Sequence, residues 1–263
     1  MLLELICFVI YSLSAGIIVA GLFSITGPKK PLALILAAMA LLIHIFILWD
    51  TVIILPGQNM SIMNVVSLVA WLISMTMLFA SFKLPNTILL PVVFGFTAVV
   101  VLLTPLLPDM HIMHYNIKPA LLIHIGFALL AYACLSIAFL YAMQLAYINL
   151  RLKEKKASLL HSSLPPLMAV ETILFKLLFV GTILLTLSLI SGFMFLENMF
   201  GKEQAHKTVL SLIAWLIYSI ILFGHVQFGW RGKPVITATI VGSIFLTLAY
   251  FGSRFVREVI INS

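Results

Sequence analysis

The sequence contains very few charged residues. Only 9% of its 263 residues are Asp, Glu, Lys or Arg, and 63% are hydrophobic. Soluble domains carry roughly a quarter charged residues. A globule this apolar could not cover itself with polar surface, so its solvent must be largely lipid. The scarcity of charge therefore excludes a soluble enzyme or binding domain.

Several features that carry chemistry are also missing. The two cysteines, Cys7 and Cys134, lie inside apolar segments and form no CxxC pair, which disfavours disulfide, thiol-redox and cysteine-metal chemistry. The sequence has no P-loop, no HExxH motif and no evident Ser–His–Asp arrangement. No Asp or Glu lies in the middle of an apolar run, although ion-coupled transporters place ionisable groups along their pathways. An ion-coupled transporter is therefore disfavoured, and a small-molecule exporter would lack a charged pathway.

What the sequence has instead is a series of long apolar runs. About twenty residues of helix cross the hydrocarbon core of a bilayer, and the runs are continuous rather than alternating, which excludes a transmembrane barrel. We predict an all-α polytopic membrane bundle of about eight transmembrane helices, organised as a single transmembrane domain over residues 1–263. The runs cover residues 2–26, 31–50, 61–82, 87–107, 119–150, 168–196, 208–228 and 234–256.

The basic residues predict the orientation of these helices. The formal net charge is +7, but the basic residues lie in alternate loops, which indicates membrane topology rather than nucleic-acid binding. Ten of the fifteen basic residues lie in one set of loops, at 27–30, 83–86, 151–167 and 231–233, or close to them at Lys176. Only two of the eight acidic residues, Glu154 and Glu171, lie in or near these loops. The positive-inside rule assigns these loops to the cytoplasm, with 151–167 as the main cytoplasmic loop, and both termini to the periplasm.

Three histidines lie within the predicted spans, and their depths differ. His44 precedes Asp50, and His124 follows Lys118, by six residues each, which places both roughly 9 Å below the periplasmic surface. His225 lies 18 residues from Lys207, which places it roughly 27 Å below the periplasmic surface, near the cytoplasmic end of its span. Because imidazole is a good axial ligand for haem iron, His44 and His124 could share one haem, which His225 could not reach.

Each histidine of the matched pair lies above small side chains on the same helix face. Small residues leave room for a flat cofactor, but they also let two helices pack closely, so a hydrogen-bonded histidine on a packing seam remains an alternative. The small residues, at four and seven positions from each histidine, are Ala40 and Ala37, and Ala128 and Ala131.

Five segments, taken in order and spacing, form a specific set: LLIHIFIL around His44, LLIHIGFALLAYACLSIAFLYAMQ around His124, PPLMAVETILFKLLFVGTILLTLSLISGFMF, AWLIYSIILFGHVQFGWRGK around His225, and YFGSR. Together they resemble the cytochrome c assembly family, the membrane proteins related to CcsA and HemX. The resemblance covers most of residues 40–254 and places the family core at about 40–256.

The resemblance implies haem handling. In the CcsA branch, histidines and a WWD segment hold haem at the outer face for attachment to apocytochrome c. By resemblance, His124 corresponds to an outer-face haem ligand of that branch and His225 to its deeper transmembrane histidine. The implied cofactor is haem, bound non-covalently as b-type haem. The implied location is the bacterial inner membrane, with the lipid bilayer and other haem-biogenesis or cytochrome-maturation membrane proteins as partners.

The sequence also departs from the CcsA pattern. The segment ENMFGKEQAHK (197–207) lacks WWD, no histidine follows the eighth span, and Gln227 stands where an arginine is expected. These departures disfavour haem attachment by this chain alone. We therefore expect a protein that holds or passes haem near the periplasmic face, with His44 as the proposed second ligand beside His124. The alternative is a non-catalytic scaffold or regulator that keeps the fold without haem chemistry.

Overall fold

The computed structural model describes residues 1–52, 58–59, 61–106, 112–113, 119–154, 165–195 and 205–252. These residues are almost entirely helical. The helices are α1 (Leu2–Leu22), α2 (Lys30–Val52), α3 (Ile62–Ala80), α4 (Leu90–Leu103), α5 (Pro119–Glu154), α6 (Leu167–Phe195), α7 (Ala205–Phe228) and α8 (Lys233–Thr247). A 3-10 turn (Thr104–Leu106) extends α4, and a π-helical turn (Leu248–Gly252) extends α8.

The helices pack into two compact units, the first of which contains α1 to α4. In this unit each helix contacts two neighbours, so that α1, α2, α3 and α4 close into a ring. The side chains of Cys7 and Ser14 on α1 donate to the carbonyls of Ala40 and Ala33 on α2, so these two helices are antiparallel. Two short strands, β1 (Gln58–Asn59) and β2 (Ile112–Met113), pair antiparallel in the same unit.

The second unit contains α5 to α8, which close into a ring in the same way. The thiol of Cys134 on α5 donates to the carbonyl of Leu177 on α6. A side chain at Gly181 would meet Leu135 at 2.7 Å, so the absence of a side chain lets α5 and α6 approach closely. Helices α5 and α6 are antiparallel, since His124 and Cys134 on α5 contact Ser188 and Leu177 on α6, respectively.

Helix lengths agree with a membrane protein. Within the described residues, seven helices are long and apolar enough to cross a bilayer, and the α4 segment Leu90–Leu106 is shorter. The exposed side chains on these helices include large apolar ones such as Phe46 (68%) and Val226 (76%), which require a lipid environment. The predicted polytopic helical bundle is confirmed. The orientation and the single-domain organisation stay predictions.

The longest helix extends beyond the span that was predicted for it. The apolar run ends at residue 150, but α5 continues as helix through Glu154, so the predicted loop 151–167 begins with helical residues. The 36 residues of α5 span roughly 54 Å, well over the roughly 30 Å of a bilayer core. Arg151 and Lys153 lie in its last turn, where cations are favoured by the helix dipole.

Candidate functional site

His44 lies on α2 and is fully buried inside the first unit. Its Nε2 is 2.9 Å from the hydroxyl oxygen of Ser67 on α3, and its Nδ1 is 3.4 Å from that of Tyr11 on α1. The Tyr11 ring stands edge-on to the imidazole, at a centroid distance of 6.0 Å. Both ring nitrogens therefore have a hydroxyl partner. Nε2 could bind iron only after losing its contact with Ser67, and Nδ1 only after losing its contact with Tyr11.

The alanines beside His44 form a packing seam. Ala37 and Ala40 are fully buried, and Cys7 of α1 donates to the carbonyl of Ala40 at 3.4 Å. On the α3 side, the Trp71 indole donates to the carbonyl of Leu41 at 3.0 Å. In this unit the small side chains allow neighbouring helices to approach closely, as expected for helix packing in lipid.

His124 lies near the start of α5, opposite the end of α6. Its Nδ1 is 2.9 Å from the carbonyl oxygen of Ser188 and 3.1 Å from the hydroxyl oxygen of Ser191. A carbonyl oxygen can only accept, so Nδ1 carries the hydrogen and donates it. Nε2 is then the ring nitrogen with the lone pair, the form in which histidine binds a metal.

His225 lies in the last turn of α7, where the chain reverses into α8. Its Nδ1–H donates to the carbonyl of Trp230 at 3.0 Å, so Nε2 again has the lone pair. The imidazole stacks on the Phe175 ring, with centroids 3.5 Å apart and planes 16° apart. The reversal needs Gly224, because a side chain there would meet the Trp230 ring at 2.2 Å.

A buried carboxylate lies at the same end of the second unit. Glu171 on α6 is 6% exposed, and its Oε1 accepts a hydrogen bond from the backbone amide of Gly232 at 3.3 Å. Gly232 precedes the first residue of α8, where negative charge is stabilised by the helix dipole. Glu171 therefore anchors the start of α8. It lies one helical turn from Phe175, which stacks on His225, so Glu171 and His225 lie at similar levels along α6.

The second unit keeps its two candidate histidines, His124 and His225, apart. His124 contacts α6 at Ser188 and Ser191, whereas His225 contacts α6 at Phe175. Thirteen residues of helix correspond to roughly 20 Å along the axis, so His124 and His225 contact α6 at well-separated levels. Their depths below the membrane surface stay predictions. His44 belongs to the first unit, and its predicted pairing with His124 stays a prediction.

A cavity of about 320 Å³ lies on another side of α5. Hydroxyl groups that line it already have hydrogen-bonding partners: Tyr132 lies 3.1 Å from Thr247, and Ser243 lies 3.0 Å from the neighbouring Tyr218. His124 is held on the α6 side of α5, whereas this cavity opens between α5 and α8. The lining residues are Tyr132, Leu135, Ser136, Phe139, Ser243, Ile244, Leu246, Thr247 and Leu248. The cavity is therefore separate from the His124 site.

The sequence did not reveal the partners of the histidines. The contacts of Ser67, Phe175, Ser188 and Ser191 are long-range and follow no local period. Only the presence of serine in an apolar run indicates such contacts, because serine hydroxyls form hydrogen bonds within or between membrane helices. Within the described part of the chain, no three His, Cys, Asp or Glu side chains converge on a metal site. Most of the segment 197–207 and all residues after 252 lie outside the described residues.

Comparison with known proteins agrees with the resemblance. Residues 32–261 match the family described as "Cytochrome C assembly protein". The chain is 40% identical to the inner membrane protein YpjD of Escherichia coli K12, over 97% of this chain and 98% of YpjD. It is 29% identical to the cytochrome c biogenesis protein CcsA of Prochlorococcus marinus AS9601, over 53% of this chain and 54% of CcsA.

No solved structure matches the chain. The similarity to YpjD extends over nearly the whole length of both proteins, and the helices described above are those of a membrane protein, so the predicted inner-membrane location is confirmed. The family match covers most of the chain, including all three candidate histidines. The chain thus belongs to the cytochrome c assembly protein family.

Proposed function

We propose that this protein acts in cytochrome c biogenesis by holding or passing haem, with His124 as an axial ligand of the iron. The observation that carries the proposal is the hydrogen bond from Nδ1–H of His124 to the Ser188 carbonyl. Metal-binding histidines commonly donate their other N–H to a carbonyl or carboxylate, which fixes the tautomer and the ring orientation. His124 has this arrangement already in the protein alone.

The three histidines are not equally suited to binding iron. His124 and His225 both donate Nδ1–H to a backbone carbonyl and keep Nε2 as the lone-pair nitrogen. His44 has hydroxyl groups beside both ring nitrogens, so ligation would require it to leave Ser67 or Tyr11. We propose non-covalent, b-type haem, since the described residues include no cysteine motif for attachment. Bound haem would supply an iron centre able to change its redox state.

Absorption spectroscopy of the purified protein tests this proposal. The protein is purified in a mild detergent through a tag without histidines, after haem supplementation, and its Soret band and reduced-minus-oxidised spectrum are recorded. We expect a Soret band that His124→Ala weakens at least tenfold. His206→Ala is the matched control, because His206 is an exposed histidine in the first turn of α7. Absence of haem from the wild type, or full haem content in folded His124→Ala protein, would refute the proposal.

The same preparation decides the role of His44. If His44 is the second axial ligand, His44→Ala will change the spectrum from that of six-coordinate to five-coordinate iron. If His44 is only a hydrogen-bonding residue, the haem spectrum per folded protein will stay that of the wild type. His225→Ala, at the other end of the second unit, should leave the spectrum of the His124 site unchanged.

The buried hydrogen bonds of His44 also favour a second candidate function, a scaffold without haem chemistry. In that case the histidines stabilise the fold, and the protein acts by binding another membrane protein of the maturation pathway. Crosslinking in membranes would then capture a stoichiometric partner equally with wild-type and His124→Ala protein. Loss of the partner on His124→Ala would exclude this function.

A further inference from the structure

Ser188 and Ser191 lie one turn apart near the end of α6 and face His124. Three short contacts join the three residues. Nδ1 of His124 lies 2.9 Å from the Ser188 carbonyl oxygen and 3.1 Å from the Ser191 hydroxyl oxygen. The Ser191 hydroxyl also lies 2.9 Å from the Ser188 carbonyl oxygen. Both serines are at least nine-tenths buried. The imidazole is therefore held by a defined group of atoms on the neighbouring helix.

The hydrogens in this group can be assigned. The Ser188 carbonyl has no hydrogen, so both Nδ1–H and the Ser191 O–H point toward it. The Ser191 hydrogen is then used, and its oxygen faces Nδ1 as a second acceptor. The opposite tautomer would place the Nδ1 lone pair against a carbonyl lone pair at 2.9 Å, which is repulsive. The geometry thus allows one neutral tautomer.

We propose that Ser191 is a positioning residue that, together with the Ser188 carbonyl, orients His124 for binding the haem iron. The pair fixes His124 as the Nδ1–H tautomer before haem arrives and directs Nε2 away from α6. This inference rests on the proposed function for its haem-dependent part, but the tautomer is a property of the protein without haem. Such outer partners of a metal ligand typically change metal affinity by roughly 10- to 100-fold when they are lost.

The substitution Ser191→Ala removes one acceptor and leaves the carbonyl. We expect haem to dissociate about tenfold faster from this variant, as measured by transfer to an excess of apomyoglobin. Ser191→Thr keeps the hydroxyl and should restore the wild-type rate. Thr172→Ala is the control, since it removes a hydroxyl from an exposed position of the same helix, where that hydroxyl donates to the Met168 carbonyl. Equal dissociation rates for wild type and Ser191→Ala would overturn the positioning role.

Two measurements on haem-free protein separate this inference from the proposed function. Nitrogen-15 NMR of histidine-labelled protein should show His124 as the Nδ1–H tautomer, assigned by its loss in His124→Ala. A double-mutant cycle of His124→Ala and Ser191→Ala should show a coupling of about threefold in the unfolding equilibrium constant. An Nε2–H tautomer, or no coupling, would overturn the inference. If the wild type bound no haem but both results were found, the proposed function would fail and the positioning group would stand.

Discussion

The substitution His44→Ala should destabilise the first unit even in the absence of haem. His44 is fully buried and lies between Tyr11, on α1, and Ser67, on α3. Removing the imidazole leaves two hydroxyls without this partner and a cavity that the surrounding helices fill only in part. The first unit would therefore lose contacts among three of its four helices at once.

The size of the effect follows from these contacts. Hydrogen bonds between membrane helices contribute about 0.6 kcal/mol each on average. Large-to-small core substitutions cost roughly 2–5 kcal/mol in soluble proteins, but the transfer contribution is small when the unfolded helices also lie in lipid. The lost packing then contributes roughly 1–2 kcal/mol. We expect His44→Ala to lower the free energy of unfolding by about 2–3 kcal/mol.

Reversible unfolding in mixed micelles measures this loss. Ser67→Ala removes the 2.9 Å contact and Tyr11→Phe the 3.4 Å contact, so Ser67→Ala should cost more, because hydrogen bonds weaken with distance. His206→Ala, at an exposed position, should change stability by less than about 0.5 kcal/mol. The reasoning is refuted if His44→Ala unfolds like His206→Ala, or if Tyr11→Phe proves the costlier of the two hydroxyl deletions.

Glycine substitutions supply further predictions. Gly181→Ala should lower the free energy of unfolding by about 1–3 kcal/mol, because its Cβ would meet Leu135 at 2.7 Å. Gly95→Ala, whose Cβ would have no atom within 4 Å, should be neutral or stabilising by up to about 1 kcal/mol; equal effects in the same unfolding assay would contradict the packing argument. Gly224→Ala should displace the Trp230 ring, which its Cβ would meet at 2.2 Å, and raise the accessibility of the indole to an aqueous fluorescence quencher; an unchanged quenching constant would contradict it.

The helices could be predicted because lipid imposes a simple rule on the sequence. A span must be apolar over its whole length and must satisfy its own backbone hydrogen bonds, so composition alone marks where it lies. The run at 87–107 indeed forms α4 and its 3-10 extension. Its limits follow from Pro91 in the first turn and Pro105 at the end, since proline starts or ends helices. The apolar run at 119–150 does not mark the end of α5, because the helix continues into the charged residues up to Glu154.

The separation of His124 from His225 along the helix axes could be predicted for the same reason, but their partners could not. The helical rise converts sequence position into depth, which separates His124 from His225 correctly within the second unit. The rotation of each helix and its neighbours across the ring are set by tertiary packing. Nothing in the sequence indicates that His124 meets Ser188, which lies 64 positions away along the chain.

Trp230 illustrates a residue whose contacts depend on the tertiary structure. It lies at the boundary of an apolar run and is 41% exposed. Its carbonyl, however, accepts the Nδ1–H of His225, and this contact depends on the chain reversal after α7. Gly229 and Gly232 adopt positive φ angles of 66° and 67° in that reversal, a conformation that favours glycine.

Chemical rescue of His124→Gly tests the central claim most directly. The claim is that Nε2 of His124, presented through the Nδ1–H bond to Ser188, binds haem iron. The purified variant is incubated with haem, and its absorption spectrum is recorded with and without added imidazole, beside a thermal unfolding curve that shows it to be folded. We predict no Soret band of the wild-type form without imidazole and its return with imidazole. A wild-type haem spectrum in folded His124→Gly protein without imidazole would contradict the account.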